Sequence, residues 1–451
     1  MPPRGLFSLG TRMSGKWPGL TLGGRLPSPS LTDHVAVMVA VALPWSTSAT
    51  GLFVVIWLVA VMSSTDLSDL RKILSSPRGY LPVLLVILAL AGTFWSDVSI
   101  TNRVHALQPY YKLLAIPLLL AQFSRSGRGH RVLFGFLVSC SALLALSFAS
   151  AIWPPIAWWR LGNPGVPVKD QIAQSAEFVI CAFCLLYVSA IEWRAGRHTY
   201  GAIALVASLL FLVDVLFVAT SRTELVVIAS LLLVFLVKER GWKWLPLGLL
   251  IVAALASVVW VSSSYIRGRV AHGVWEVKQY ELVDQPTSIG LRLEWWRKSL
   301  GFIEQAPILG NGTGSLPKLF RESAQNQTGA SAVAANNPHN QIFAIAIPLG
   351  LLGTAILFSM WIAHTLLFRE STLFGWFGLV VVIQNMIGCV FNSHLFDFAE
   401  GWTYVWGVGV IGGLVLREKA AAATVRDQPV PQFGSEAKIE RLHQGISSVT
   451  P

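Results

Sequence analysis

Residues 201–237 read GAIALVASLLFLVDVLFVATSRTELVVIASLLLVFLV. Two apolar runs, 200–219 and 223–237, are separated only by the turn Ala219-Thr220-Ser221-Arg222, and a single acid, Asp214, interrupts the first. A bilayer core is crossed by about 20 apolar residues in a helix, so this stretch reads as two antiparallel membrane helices joined by a tight turn. The whole chain has the same character. Of its 451 residues 54% are hydrophobic and 13% charged, with a mean hydropathy of +0.60. Soluble domains carry about 25% charged residues, which excludes an ordinary water-soluble enzyme or binding module.

Apolar runs bounded by charges and turn residues predict twelve such helices, at 34–48, 50–62, 81–95, 104–123, 131–153, 171–191, 200–219, 223–237, 245–264, 339–363, 374–391 and 401–416. The expected fold class is an all-α integral membrane protein. Its parts are an N-terminal tail (1–33), nine helices (34–264), a long polar segment (265–338), three helices (339–416) and a C-terminal tail (417–451). The first tail lacks the apolar core and small-residue cleavage site of a signal peptide. Lysine and arginine alternate between loops as the positive-inside rule requires. With the N-terminus inside, the short inner loops hold twelve of them, whereas the short outer loops hold only Arg103, Arg160, Lys169 and Arg222. Both tails are therefore expected in the cytoplasm, and most of the net charge of +11 serves topology. Nucleic acid is not an expected partner.

The 74 residues from 265 to 338 face outward and are far longer than any other connection; loops of such length are usually functional. Within them, 290–305 places Leu293, Trp296, Leu300 and Ile303 at helical spacing, as in a helix lying at a membrane interface or packing on the bundle. Gly310-Asn311-Gly312-Thr313-Gly314 lacks the Lys-Ser/Thr of a phosphate-binding loop and reads as a turn. Cys181 and Cys184 form a C-x-x-C pair without a second pair or a nearby His, and read as small apolar residues. Neither a zinc-spaced Cys/His cluster nor an acidic pair for a metal-held diphosphate is apparent, so no metal and no cofactor are expected. Asp214 would lie about 12 Å deeper than Arg222 along its helix, and a structural role suits it.

Four outer-face groups remain. Arg222 stands in the tight turn, Arg292 opens the amphipathic helix, His339 precedes a span, and His394 lies in Asn392-Ser393-His394-Leu395-Phe396-Asp397. An arginine at a helix end also snorkels for structural reasons. As a set, two guanidiniums suit capture of phosphate oxygens, and a neutral imidazole can take a proton from a hydroxyl. That combination would serve displacement of a lipid-linked pyrophosphate. His394 with Asp397 is an alternative base or a supporting pair, and Arg103, Arg160, Arg267 and Arg269 would add positive field for an anionic donor. Trp296 and Asn340 flank the Arg292 and His339 motifs and join them as candidate substrate-binding residues.

Thr220-Ser221-Arg222-Thr223-Glu224, then Gly290-Leu291-Arg292 with Trp296 and the spaced glycines 310, 312 and 314, then Pro338-His339-Asn340, resemble the successive signatures of the O-antigen ligase and polymerase superfamily, over about residues 35 to 416. The resemblance implies a glycosyltransferase of the bacterial inner membrane working at its periplasmic face, with the 265–338 segment as a periplasmic loop before the tenth helix. It implies an undecaprenyl pyrophosphate-linked glycan as donor, and Arg222, Arg292 and His339 as the functional residues. A ligase passes the glycan to the lipid A-core oligosaccharide; a polymerase passes it to another lipid-linked repeat, and a related branch to protein hydroxyls. The long outward segment with its tryptophans suits a large lipid-anchored acceptor, which favours the ligase. A secondary transporter would show repeated halves with coupling charges near the midplane, whereas these charges gather at one face.

Overall fold

The computed structural model describes residues 31–157, 164–262 and 264–426. Seventeen α-helices account for most of them: α1 (Leu31–Ala42), α2 (Thr47–Ser64), α3 (Leu67–Leu74), α4 (Pro77–Ala91), α5 (Ile100–Tyr111), α6 (Ala115–Ser126), α7 (Gly129–Ile152), α8 (Gln171–Arg194), α9 (His198–Phe217), α10 (Arg222–Arg240), α11 (Leu245–Ser262), α12 (Ser264–Val283), α13 (Ser288–Gln305), α14 (Leu316–Ala324), α15 (Gln341–Leu367), α16 (Leu373–Phe391) and α17 (Phe398–Arg426). No strand occurs among the described residues.

Seven helices are long and apolar enough to cross a membrane: α2, α7, α8, α9, α11, α15 and α16. An eighth crossing arises if α3 and α4, bent by 85° at their junction, are taken together. The other four expected spans fall short of that test for visible reasons. α1 has only 12 residues. The 104–123 run is divided between α5 and α6, with Pro109 inside α5 and a 3-10 turn at Lys112–Leu114 between them. α10 carries Arg222, Glu224, Lys238 and Arg240 at its ends. α17 opens with Glu400 in its first turn, and it continues to Arg426, so residues 417–426, expected in the tail, are helical.

The helices pack through small residues and paired polar groups. A Cβ at Gly409 or Gly413 of α17 would come within 2.4 Å and 2.6 Å of the Cβ atoms of Leu119 and Phe123 on α6, the close backbone approach that membrane helices achieve with glycine. Trp57, Trp361, Trp376 and Tyr404 are fully buried. Trp376 stacks on Tyr187 and donates to the Phe183 carbonyl at 2.9 Å. Asp214 is fully buried, accepting from Ser147 Oγ at 2.5 Å and from Gln174 Nε2 at 3.4 Å, in keeping with a structural role. The four cysteines are free thiols.

The two ends of the bundle differ. At one, Arg125 meets Asp69, Arg194 meets Glu239, Lys419 meets Glu370, and Lys238 donates to the Glu370 carbonyl. These loops are the ones expected inside. At the other, Lys318 meets Asp97 and Lys169 donates to the Leu43 carbonyl.

The 265–338 segment, in which a helix at 290–305 was expected, is largely helical: α12, α13 and α14 fill most of it. The face α13 buries also departs from the apolar stripe, because Glu294, Ser299 and Phe302 are buried while Leu300 is exposed. Glu294 is satisfied there by Tyr280 Oη at 2.8 Å and by Arg297 at 2.8 and 2.6 Å.

α15 is not continuous either. After Pro348 the chain turns at Gly350, whose φ of 63° and ψ of −161° break the helix. The freed backbone groups are taken up by residues 307–312: Asn311 and Gly312 N–H donate to the Ile347 and Pro348 carbonyls at 2.8 and 2.9 Å, and Leu351 N–H donates to the Pro307 carbonyl at 2.8 Å. The glycine run is thus a turn docked into the break. Gly312 sits at φ 85°, and a Cβ there would lie 2.4 Å from Ser96 Cα. Gly312→Ala is expected to lower stability by about 2 kcal/mol or more, from left-handed strain plus the clash. Gly301→Ala on α13, with nothing within 4 Å, is the control expected to be neutral or slightly stabilising, both read by thermal unfolding in detergent.

Candidate functional site

The chain places Arg222 by anchoring the turn before it. Val218 and Ala219 N–H both donate to the Asp214 carbonyl, at 2.8 and 2.9 Å, and Ser175 on α8 donates to the Ala219 carbonyl. Ser221 is extended, so α10 starts at Arg222 itself. Its guanidinium is 4.0 Å from the buried carboxylate of Glu276 on α12, which also lies 3.8 Å from His272 Nδ1. Glu276 in addition accepts the Ser288 N–H at 3.2 Å, and its carbonyl accepts Thr287 Oγ at 3.2 Å. The same residue therefore holds the start of α13 against α12.

One turn into α13 stands Arg292. Its guanidinium is held below the ordinary arginine range, first by burial and then by the nearby Arg222 charge, with Glu276 opposing. An arginine remains protonated at any physiological pH, so this is an environment that gains by receiving an anion. A cavity of about 330 Å³ adjoins Arg222, lined by Thr220, Arg222, Leu225, Arg269, Val270, Gly273, Val274, Val277 and Ile289. Apolar walls with two arginines suit an amphiphile carrying an anionic head. Arg292 and His339 are not among its lining residues.

His339 meets α13 one turn beyond Arg292, at Trp295 and Trp296. It adopts φ 51°, a left-handed conformation that costs a non-glycine residue about 1 kcal/mol. Neighbours over-determine it. Its N–H donates to Asn337 Oδ1 at 2.9 Å, Trp296 Nε1 donates to the Pro338 carbonyl at 2.9 Å, and Asn340 caps α15 by accepting the Ile342 and Phe343 N–H groups. The ring stacks on Trp295, with centroids 5.6 Å apart, and Nδ1 meets Asn392 Oδ1 at 2.9 Å. Arg292 and the Trp295–Trp296 pair are three and four residues apart on one helix, hence about 5–6 Å apart on one face. α13 thereby links the guanidinium pair to the histidine.

The remaining candidates separate. Arg269 joins Arg222 at the cavity. Arg103 donates to the Val98 and Thr93 carbonyls, and Arg267 to those of Trp260 and Val261; both secure local backbone. Arg160 lies outside the described residues. His394 is fully buried against Gly388 and has no hydrogen-bond partner among the described residues; burial pushes its imidazole down to about 4. Asp397 is raised to about 6 by burial, with Lys112 opposing, while Lys112 Nζ donates to its carbonyl at 2.6 Å. No group of three or more His, Cys, Asp or Glu suited to a metal occurs among the described residues. Glu276, Trp295 and Asn392 were given no role by sequence reasoning. Glu276 lies outside every motif singled out in the sequence, and the other two adjoin residues that drew attention first.

Residues 206–358 match the family model described as O-antigen ligase. No curated protein matches the chain. The matched region, about a third of the chain, contains Arg222, Glu276, Arg292, Trp295 and His339. Because Glu276 is the negative charge nearest Arg222, Glu276→Gln is expected to tighten binding of inorganic pyrophosphate severalfold in calorimetric titrations, whereas Arg222→Ala and Arg292→Ala abolish it.

Proposed function

With residues 206–358 forming a domain of the O-antigen ligase superfamily, we propose that the protein is an O-antigen ligase, transferring a glycan from undecaprenyl pyrophosphate to a sugar hydroxyl of lipid A-core. What supports this reading is that Glu276 ties the start of α10 at Arg222 to the first turn of α13, which carries Arg292, with His339 stacked on Trp295 one turn further along. The acceptor oxygen attacks the anomeric carbon from the face opposite the leaving group while its proton passes to His339. The C–O bond to the pyrophosphate breaks, and its electron pair leaves on the pyrophosphate oxygen. Arg222 and Arg292 stabilise the charge that grows there. His339 is preferred to His394 as the base because His394 is fully enclosed. The reaction inverts the anomeric centre and meets the developing charge with guanidiniums rather than with a metal.

The topology that goes with this reading has twelve spans, both termini in the cytoplasm and the 265–338 segment in the periplasm, in the bacterial inner membrane. It is supported by the gathering of the expected inner loops at one end of the bundle. α1, α5 with α6, α10 and α17 would complete the crossings by virtue of neighbours that cover their polar groups.

In transfer assays with an undecaprenyl pyrophosphate-linked glycan and lipid A-core, Arg222→Ala or Arg292→Ala is expected to reduce turnover about 100- to 1,000-fold, and His339→Ala at least about 100-fold. Wild-type rates in all three would refute the site, and a product of retained configuration by NMR would refute single displacement. Deleting the gene distinguishes ligase from polymerase. Lipid A-core without any O-antigen, with long glycan left on the carrier, is the ligase result; a single repeat on lipid A-core is the polymerase result.

A further inference from the structure

A histidine base must present a bare ring nitrogen to the acceptor hydroxyl, and the hydrogen bonds of the His339 ring decide which of the two it is. Nδ1 is 2.9 Å from Asn392 Oδ1. An amide oxygen has no proton to give, so the ring nitrogen facing it is the one that carries hydrogen. Nε2 is then the lone-pair nitrogen, and no hydrogen-bond partner for it is found among the described residues. The ring cannot easily turn over, since Trp295 stacks on it at an interplanar angle of 24°. Asn392 is itself fixed through its main chain: its N–H donates to the Gly388 carbonyl at 2.9 Å and its carbonyl accepts the Gln341 N–H at 3.1 Å. The next residue, Ser393, donates to Asn337 Oδ1 at 2.7 Å, and that oxygen also accepts the His339 N–H. The α16–α17 connection and the His339 turn are thus knitted together at two asparagines.

We propose that Asn392 is a positioning residue which holds His339 as its Nδ1–H tautomer, so that Nε2 takes the proton of the acceptor hydroxyl. This rests on the ligase reading for the use of Nε2, though not for the pairing itself. In the step, the hydroxyl proton moves to Nε2, the imidazolium keeps Nδ1–H on Asn392 Oδ1, and the proton is afterwards released from Nε2 to water. Asn392 stays neutral throughout. A neutral oxygen orients the ring without fixing a second charge beside it, which leaves the histidine free to return to its neutral form after each turnover. The charged and titratable groups on the elements packed around the ring are Arg292, Glu294, Arg297, Lys298 and Glu304 on α13, and His394 and Asp397 after α16. Glu294, Arg297 and Lys298 are engaged with one another.

The test uses the full chain in detergent micelles with two variants, Asn392→Asp and Asn392→Leu. Carbethoxylation of His339 by diethyl pyrocarbonate, followed by mass spectrometry across pH, reports the protonation of the ring whether or not any glycan is transferred. A carboxylate in place of the amide favours the imidazolium, so Asn392→Asp is expected to move the midpoint up by about one pH unit, and the rising limb of the transfer rate moves with it. Asn392→Leu is expected to lower kcat about 10- to 100-fold while the donor KM stays within about twofold of wild type. An unchanged carbethoxylation midpoint in the aspartate variant, or a wild-type kcat in the leucine variant, overturns the proposal. A shifted midpoint combined with wild-type transfer by His339→Ala upholds the pairing and refutes the catalytic use of the ring, so the two readings fail separately.

Discussion

A helix that breaks inside an apolar bundle must find partners for the backbone groups it releases, and the break of α15 at Pro348–Gly350 finds them in residues 307–312. Water cannot serve there, and an unpaired N–H or carbonyl in such surroundings costs several kcal/mol. The outward segment is consequently not a loop hung on the bundle but a part of its hydrogen bonding. The spaced glycines make this possible: 310, 312 and 314 all take positive φ, and at 310 a Cβ would stand 2.4 Å from the Pro348 carbonyl carbon. Closing that seam fixes the end of α13 against α15. Since α13 carries Arg292 and Trp295, and α15 begins just after His339, it also fixes the two halves of the site relative to each other.

Within that frame the electrostatics are opposed by design of the chemistry. The partly buried Arg292 loses hydration, and the Arg222 charge adds to the cost of its own. Glu276 offsets this only in part, at 4.0 Å from Arg222 and without a hydrogen bond to it. A carboxylate that formed a tight bidentate pair would satisfy the arginine and compete with an anionic ligand. The looser arrangement leaves the donors of Arg222 open to an anionic ligand. One turn further along α13 the polar logic is reversed. His339 is surrounded by neutral partners, two asparagines and a tryptophan, which orient it without charging it.

Much of this was legible in the sequence, and the parts that were not share a cause. Apolar runs located α2, α7, α8, α9, α11, α15 and α16, the helices long and apolar enough to cross a membrane among the described residues, because burial in lipid or core demands such runs. The three short motifs around Arg222, Arg292 and His339 pointed to the residues that the fold brings to α10, α13 and the start of α15. What was hidden depends on neighbours distant in sequence. α12 presents little apolar periodicity, so Glu276 was passed over. The buried face of α13 is polar because Tyr280 and Arg297 satisfy Glu294, which no pattern within α13 announces. Asn392 reaches His339 across 53 residues. Arg103 and Arg267, read as part of a positive funnel, instead close local turns through carbonyls that only the folded chain supplies. The number of crossings is the clearest case: α10 and α17 carry charges that composition counts against a span, and only their packing partners decide whether those charges are covered.

The most direct measurement is a cryo-electron microscopy structure of the full chain in a lipid nanodisc with an undecaprenyl pyrophosphate-linked glycan bound. Density for the pyrophosphate between the Arg222 and Arg292 guanidiniums, with the polyprenyl chain along Val270, Val274 and Ile289 and the first sugar facing His339 Nε2, is the predicted result. A donor seated elsewhere, with neither arginine in contact with phosphate, would contradict it.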